Sequence, residues 1–446
     1  MNDSLNFPSK AARQFDPVTG MMYVDYSYEP NEIELCNPEY DVGELPSRFL
    51  AFVKGHATAK TPRNSPQIRY ETQFASSEHI NERVIHQSEQ LIFSGALDDI
   101  LFDHSREPAE RLWEIFKNSV IGNPDNRRFE MPSWLRQRIA ERREQALPLN
   151  FVLLAFPFKD QNPFRTVLEP WEIDLGEIVF LGRLAALAMA AWRIHPFGAN
   201  WIILSDAVLY AKVFEIPTRD AERYVAAVRS AIQRYNLHNM IQIVDLRNEA
   251  ERHFARASID FDGLVTKIGH DLAALVEAQS HTEVSAAFSS LVRGQVQGLN
   301  LRSFLGLHDP MDIWHAVYRR GPWWENPDAA PRNSSLEIQI HELARTTAIR
   351  YAATNIALAL TGVTDHLVPG ALRSTVHAKP EQIAVPRLGR SYPWCGTAVL
   401  HADTGSTEAF AVEVKDVSDL LIDQHHHGVI LPGHDRPWYF TDGKII

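Results

Sequence analysis

The chain has 446 residues, of which 45% are hydrophobic and 22% charged, and its formal net charge is −12. This length allows a sizeable core in two or three domains, or in one large domain with an elaborated end. The acidic excess argues against a general nucleic-acid binder, because phosphate binding depends on clustered Lys and Arg. The two cysteines, Cys36 and Cys395, are too far apart in sequence for a disulfide framework or a zinc ribbon.

The sequence shows no export signal and no membrane span. The N-terminus lacks the charged-then-apolar pattern of a signal peptide. The longest apolar run, 178–192, is too short for a span and contains Arg183, so it predicts a buried helix. We therefore expect a cytoplasmic protein without a membrane partner.

Two segments precede the first predicted strand. Residues 1–65 contain scattered Pro, Asn and Gly with little periodicity, which predicts a loosely structured lead-in. Within residues 66–148, apolar side chains recur at three- and four-residue spacing. That spacing is typical of amphipathic helices and predicts a helical N-terminal layer.

Short apolar runs alternate with periodic segments in the middle of the chain. The runs 150–158, 200–206 and 240–246 predict buried strands, and the segments that begin at Glu177 and at 217 predict the helices between them. This alternation is typical of a Rossmann-like sheet in an α/β fold. The strands of such a sheet are parallel.

The carboxyl ends of parallel strands share one edge of the sheet, where ligands bind in such folds. The polar residues at the three predicted ends are Lys159, Asp206 and Asp245. Residues 255–365 return to a helical pattern, and the segments after 370 alternate as strands do. We therefore predict a parallel or mixed sheet flanked by helices, built from 150–250 and 370–440, with a helical N-terminal layer and a β-rich C-terminal part.

The stretch 156–177 holds the densest set of polar residues beside a predicted strand end. It has FPFKDQNPFRT followed by DLGE, and its polar members are Lys159, Asn162, Arg165, Thr166, Asp174 and Glu177. Acidic residues at a helix start also suit the positive end of the helix dipole, so Asp174 and Glu177 have an equally good structural explanation. The helix dipole does not explain the two cations and the Asn–Pro turn just beyond the end of a buried strand as easily.

This stretch resembles the isonitrile synthases, the pyoverdine/dityrosine biosynthesis protein family. Members are similar in having a strand that ends in FPFK, an Asn–Pro turn, a basic residue with Thr, and an acidic-Gly-Glu helix start. Further similar segments keep the family's order, at 196–225, 372–383, 391–399 and 436–440. The resemblance covers 150–440 and implies that 149–446 form the catalytic domain.

The chain departs from the family's pattern near two of these segments. Ala207 and Val208 stand where the family usually has Gly and Arg, and Cys395 stands where it usually has His after Pro-Trp. Arg165 replaces a common Lys, which keeps the charge but changes the donor geometry. These positions bear on the choice of substrate.

The resemblance implies an enzyme without a metal or redox cofactor. Family enzymes condense the amine of an amino acid with the ketone of ribulose 5-phosphate, which then fragments and leaves one carbon on nitrogen. Such chemistry needs cations for the phosphate, a group that takes the amine's proton, and an acid for the carbonyl oxygen. The implied partners are small molecules, an amino acid and a sugar phosphate, while the oligomeric state stays open.

Candidate residues follow from these needs. The catalytic candidates are Lys159, Glu177, Asp206 and His377. The candidates for substrate or phosphate binding are Asn162, Arg165, Thr166, Asp174, Arg373, Lys379 and Cys395. Each cation could equally be a solvated surface charge, His377 a structural histidine, and Cys395 a small buried hydrophobe.

Three alternatives to isonitrile formation stay open. The first is another amine modification, such as N-formylation, by a divergent family member. The second is a non-heme iron oxygenase, because His401 and Asp403 have His-x-Asp spacing and further histidines follow at 425–427 and 434. The third is a catalytically silent relative that binds partners in a biosynthetic pathway. No Gly-rich loop follows the strands, so we expect neither ATP nor NAD.

Overall fold

We describe the protein from a computed structural model. The described residues are 12–16, 21–25, 38, 40–54, 72–74, 79–93, 95, 97–119, 121–162, 165–278, 281–301, 304, 306, 335–368, 370–378, 380–389, 391–402, 410–420 and 426–441. Statements about absence refer to these residues only.

The described strands form three sheets. They are β1 (Ala12–Asp16), β2 (Met21–Asp25), β3 (Thr72–Phe74), β4 (Leu149–Ala155), β5 (Ala199–Ser205), β6 (Ile241–Asp245), β7 (Leu372–Thr375), β8 (Ile383–Ala384), β9 (Thr397–Ala402), β10 (Phe410–Lys415), β11 (His427–Ile430) and β12 (Tyr439–Thr441).

The described helices surround these sheets. They are α1 (Leu45–Lys54), α2 (His79–Phe93), α3 (Asp98–Leu101), α4 (Pro108–Lys117), α5 (Ser133–Glu144), α6 (Leu175–Ile194), α7 (Ala207–Ala211), α8 (Thr218–Arg234), α9 (Leu246–Arg256), α10 (Phe261–Glu277), α11 (Thr282–Gly298), α12 (Ser335–Thr361), α13 (Val363–His366) and α14 (Val417–Leu420). Helices α2 to α5 lie where the sequence predicts a helical layer. Helix α1 lies within the predicted lead-in, and the division into domains stays a prediction.

The main sheet is parallel and has the strand order β6-β5-β4-β7-β8, which confirms the predicted Rossmann-like α/β class. The chain moves outward from β4 to β5 and β6, then crosses back to β7 on the other side of β4. The direction of winding therefore reverses between β4 and β7. In open α/β sheets, the crevice outside the carboxyl ends of the strands at this reversal is where ligands bind.

One face of the main sheet packs against α4 and α6 through large aromatic side chains. Phe151 stacks on Trp201 at a ring distance of 4.8 Å, and Phe116 of α4 meets Phe151 edge-on at 5.4 Å. The Trp201 indole N–H donates to the Leu184 carbonyl of α6 at 2.7 Å. This packing explains the continuously apolar sequences of β4 and β5, which are buried along almost their whole length.

Helix α6 is the central helix of the core. Among the described helices, it alone is long and apolar enough to cross a membrane, yet 89% of its most apolar stretch is buried inside the protein. Gly182 lies against Ser88 and Ile85 of α2, so the two helices pack closely along their length. The structure thus confirms the predicted buried helix.

The β-rich C-terminal part forms a second sheet with the order β10-β9-β12-β11-β3. The sequence predicts one sheet from 150–250 and 370–440, but only β7 and β8 of the later segment join the parallel sheet. Alternation in a strand indicates which side chains share a face, and it does not determine the neighbouring strand. The antiparallel pairs β9–β10 and β11–β12 instead form this separate layer.

Candidate active site

A fully buried lysine lies just beyond the carboxyl end of β4. The Lys159 Nζ atom lies 3.0 and 3.1 Å from the two carboxylate oxygens of Glu177, 3.1 Å from Asp174 Oδ2 and 2.8 Å from the Pro393 carbonyl oxygen. An ammonium group has three protons, and these acceptors use all of them. Tyr224 of α8 donates to Glu177 Oε1 at 3.0 Å. We call Lys159, Asp174, Glu177 and Tyr224 the lysine cluster.

The two acids of the lysine cluster also cap helix α6. Asp174 Oδ1 accepts from the Gly176 N–H at 2.7 Å, and Glu177 Oε2 accepts from the Asp174 N–H at 3.0 Å. This reciprocal arrangement is a capping box. Asp174 Oδ2 additionally accepts from the Ala398 N–H of β9 at 3.2 Å. The two acids therefore both cap α6 and pair with Lys159, and the cluster joins β4, α6 and the second sheet.

Burial and the neighbouring charges shift the pKa values of Glu177 and Lys159 in the lysine cluster. Burial raises the pKa of Glu177 to about 8, and the nearby Asp174 carboxylate adds to this increase while Lys159 opposes it. Burial alone lowers the pKa of Lys159, but Asp174 and Glu177 raise it above its ordinary value. Lys159 therefore stays protonated at neutral pH.

Gly176 allows α6 to approach the second sheet, and we expect Gly176→Ala to destabilise the chain. An added Cβ would lie 2.8 Å from Asp174 Oδ1 and 3.2 Å from Val414 Cγ2. We expect the free energy of unfolding to fall by about 1–3 kcal/mol, as for overpacking in a core. Urea unfolding measures it. The control is Gly294→Ala in α11, where no atom lies within 4 Å of the added Cβ and a gain of about 0.5–1 kcal/mol is expected. Equal effects of both changes would contradict the close approach.

The second cation of the motif, Arg165, is held by two carboxylates. Its NH1 atom lies 2.6 Å from Asp160 Oδ2 and its Nε atom 3.3 Å from Asp416 Oδ1. Burial alone lowers the pKa of Arg165, but these two acids raise it above its ordinary value. The guanidinium stays partly exposed, unlike Lys159. Asn162 and Thr166 are buried turn residues beside it, since the Asn162 carbonyl accepts from the N–H groups of Arg165 and Thr166.

The chain turns sharply between β4 and Lys159. Phe156 has a φ of +61°, a conformation that is costly for a bulky L-residue, and it is completely buried. Its carbonyl accepts from the Ser205 hydroxyl of β5 at 2.8 Å, and its ring lies 5.0 Å from the ring of Trp394. This turn directs the chain inward, so that Lys159 is buried rather than exposed beyond the strand.

His377 and Tyr392 lie on the other side of the β4–β7 reversal. The half-buried His377 ring meets the Tyr392 ring edge-on at 5.8 Å, and Tyr392 stacks on Trp394 at 5.4 Å. The segment that carries Tyr392 and Trp394 also provides Pro393, whose carbonyl binds Lys159. The segment 392–394 therefore contacts both His377, through the Tyr392 ring, and the lysine cluster, through the Pro393 carbonyl.

Asp206 follows the end of β5 and has a buried oxygen without a partner. The residue is 8% exposed, and its Oδ1 atom has no hydrogen-bond partner among the described residues. Burial raises the pKa of Asp206 to about 7, and the nearby charge of Asp245 adds to the increase. A carboxyl group that titrates near neutral pH in a partly enclosed site is suited to accepting and returning a proton.

Tyr351 of α12 lies near enough to both Asp206 and Cys395 for their charges to affect its hydroxyl. Burial raises the pKa of Tyr351, and the charges of Asp206 and Cys395 both add to this increase, so all three lie in one electrostatic environment. Burial raises the pKa of Cys395 to about 11, while Arg165 lowers it. The thiol is therefore protonated at neutral pH, which fits a pocket-lining residue rather than a nucleophile.

The structure does not bring every predicted residue to this site. Arg373 is exposed on β7 and is in register with Val152, three residues before the end of β4. Lys379 lies outside the described residues. For the metal alternative, His401 pairs with Glu413 at 3.4 Å, and Asp403 lies outside the described residues. No group of three or more His, Cys, Asp or Glu among the described residues could hold a metal ion.

Several residues of the site have no local signal in the sequence. Tyr224 lies on a helix face that the periodicity predicts only as buried, and Asp416 lies 251 positions from Arg165. Tyr351 lies inside a long helical segment. Asp160 follows Lys159 in the predicted loop. The one sequence signal that could have identified it is Arg165, a basic residue in the same loop with which it can form an ion pair.

The geometry can be compared with known proteins. Residues 139–289 match the family model described as pyoverdine/dityrosine biosynthesis protein. This segment is similar to members of that family. It contains the lysine cluster, Arg165 and Asp206, and it includes neither β7 nor any described strand of the second sheet. The match confirms the predicted resemblance to the pyoverdine/dityrosine family, a family of biosynthetic proteins.

This chain is also similar to a solved structure, the crystal structure of the PvcA protein from Pseudomonas aeruginosa. The two share 19% sequence identity with a TM-score of 0.46, and the match covers 75% of this chain and 99% of PvcA. A search of curated protein sequences gives no match.

The raised pKa of Asp206 makes stability depend on pH. Between about pH 4 and pH 7 the folded chain holds a proton at Asp206 that the unfolded chain releases, so the free energy of unfolding falls as pH rises, by at most about 1.4 kcal/mol per pH unit. Urea midpoints of the wild type and Asp206→Asn across this window measure the difference, and the variant should show the flatter curve. The exposed Asp99→Asn should parallel the wild type, and an unchanged slope in Asp206→Asn would contradict the assignment.

Proposed function

We propose that the chain is an isonitrile synthase-like enzyme, which transfers one carbon from ribulose 5-phosphate to the amino nitrogen of an amino acid. The observation that carries this proposal is the family match over residues 139–289, because that segment contains the acids and cations at the carboxyl ends of β4 and β5. Asp206 follows β5 at this edge, and its Oδ1 atom, which has no hydrogen-bond partner among the described residues, supports a site that moves protons.

The first bond-forming step is an addition of the amine to the donor's ketone. The nitrogen lone pair forms a C–N bond, the carbonyl π pair moves to oxygen, and one N–H proton ends on that oxygen. Loss of water then gives a C=N bond. Asp206 is the proton acceptor for the amine, and His377, across the β4–β7 reversal, is the acid for the carbonyl oxygen.

The two cations of the motif have different functions in this proposal. Arg165 binds the phosphate, since its guanidinium is partly exposed and can contact two oxygens at once. Lys159 has no proton left for a ligand, because its acceptors are Glu177, Asp174 and the Pro393 carbonyl. It positions the start of α6 and the segment that carries Cys395. The sequence predicts Lys159 as a catalytic residue, and in this proposal it is a positioning residue instead.

Mass spectrometry tests the function. The purified full chain is incubated with ¹³C-labelled ribulose 5-phosphate and a panel of amino acids, and products with one labelled carbon on nitrogen are sought. An isonitrile and an N-formyl product differ by one water, so the same spectra identify N-formylation. Arg165→Gln should raise the KM for the donor by about tenfold or more, and Arg165→Lys should raise it less. A folded chain that labels no amine and consumes no donor would contradict the proposal.

A further inference from the structure

A row of aromatic rings runs beside Asp206. Tyr351 lies 5.2 Å from Tyr210 and 5.7 Å from Phe214, measured between ring centres. Phe158 meets Phe214 edge-on at 5.9 Å, and Phe52 of α1 meets Tyr351 edge-on at 5.6 Å. We call these five residues the aromatic wall. It extends from the residue before Lys159 to the helices α1, α7 and α12.

Asp206 belongs to the same environment as this wall. The Tyr210 N–H donates to the Asp206 carbonyl at 3.0 Å, one turn along α7. Burial raises the pKa of Tyr210 well above its ordinary value, and the charges of Tyr351 and Asp206 add to it. The Tyr210 hydroxyl is directed to Asn355 at 2.9 Å, so it is not the partner of the carboxylate.

The carboxylate of Asp206 has no cation within reach in the described part of the chain. Its Oδ1 atom has no hydrogen-bond partner, and Lys159 and Arg165 are bound to other acids. Burying an acid without a partner is costly, so such a group in a native site calls for a ligand. Aromatic faces beside a carboxylate attract cations through the ring quadrupole. The missing partner therefore has the chemistry of a cation that donates hydrogen bonds.

We propose that Asp206 and the aromatic wall form the binding site for a primary ammonium group that is attached to an apolar part of the substrate. Asp206 Oδ1 accepts a hydrogen bond from the ammonium, and the rings of Tyr210 and Tyr351 contact the adjoining apolar atoms. Transfer of one proton then leaves a neutral amine and a neutral carboxyl group. This inference rests on the proposed function for the identity of the cation as the substrate amine.

Binding measurements test the site without requiring catalysis. Calorimetry of the full chain compares three probes of similar shape: benzylammonium, benzyl alcohol and benzyltrimethylammonium. The primary ammonium should bind about tenfold or more tightly than the other two, because the alcohol lacks the charge and the quaternary cation lacks an N–H. Equal affinity for all three probes would overturn the site.

Three variants locate the binding. Asp206→Asn should weaken benzylammonium about tenfold or more and leave benzyl alcohol unchanged. Tyr351→Leu should weaken it about threefold. The control is Asp245→Asn at the end of β6, where asparagine caps α9 as well as aspartate does. The affinity of this variant for benzylammonium should change by less than about twofold. Equal loss in the Asp206 and Asp245 variants would indicate general charge attraction and would overturn the inference.

The same variants separate this inference from the proposed function. If benzylammonium binds through Asp206 but no labelled carbon reaches any amine, the ammonium site is supported and the one-carbon function fails. If the wild type labels an amine and Asp206→Asn has the same KM for that amine, the function is supported and the ammonium site fails.

Discussion

Replacing Lys159 with Met should lower the free energy of unfolding by about 3–5 kcal/mol, the usual cost of removing one partner from a buried ion pair. Methionine fills a similar volume, so the loss comes from charge rather than from a cavity. The change leaves Asp174 and Glu177 with no cation, and both are completely buried. Urea unfolding of the full chain, followed by circular dichroism, measures the shift.

Two further variants show whether charge is the cause. Lys117→Met removes a partly exposed lysine that pairs with Glu114 on α4, and we expect a loss below about 1 kcal/mol. Adding Glu177→Gln to Lys159→Met removes one of the two stranded carboxylates and should recover part of the loss. If the double variant is no more stable than Lys159→Met, the lysine cluster is not held by its charges.

Asp206→Asn should reduce kcat for one-carbon transfer by about 100- to 10,000-fold while the chain remains folded, the range expected for loss of a general base. Asparagine has nearly the same shape and cannot accept a proton from the amine. The Asp206 carboxyl makes no side-chain cap to α7, so the substitution removes no helix cap. Labelled product formed per unit time measures the effect, with a thermal melt to establish folding.

Asp99→Asn on the surface of α3 is the matched control and should leave kcat unchanged. The pH profile gives an independent readout. With Asp206 near pKa 7, kcat should rise through neutral pH in the wild type, and this rise should be absent from the residual activity of the variant. A variant with the wild-type rate and profile would exclude Asp206 as the proton acceptor.

Much of the main sheet could be predicted because its signals are local. The apolar runs of β4 and β5 reflect burial on both faces, and the acidic-Gly-Glu sequence of Asp174, Gly176 and Glu177 marks the start of α6. Asp206 was predicted as a candidate from its place after β5. The same reasoning placed Lys159 among the catalytic candidates, but a charge beside a strand end gives no information about the acids that fold onto it.

The sequence by itself determined the α/β class, the buried helix α6 and the residues at the strand ends, since each depends on periodicity or on neighbours a few positions away. The tertiary structure alone decided how those residues are used. Pro393 reaches Lys159 across 234 positions, and Asp416 reaches Arg165 across 251. Such contacts depend on how sheets and helices pack, which local patterns do not specify. The same packing pairs Lys159 with Asp174 and Glu177, and it leaves Asp206 Oδ1 without a hydrogen-bond partner in the described part of the chain.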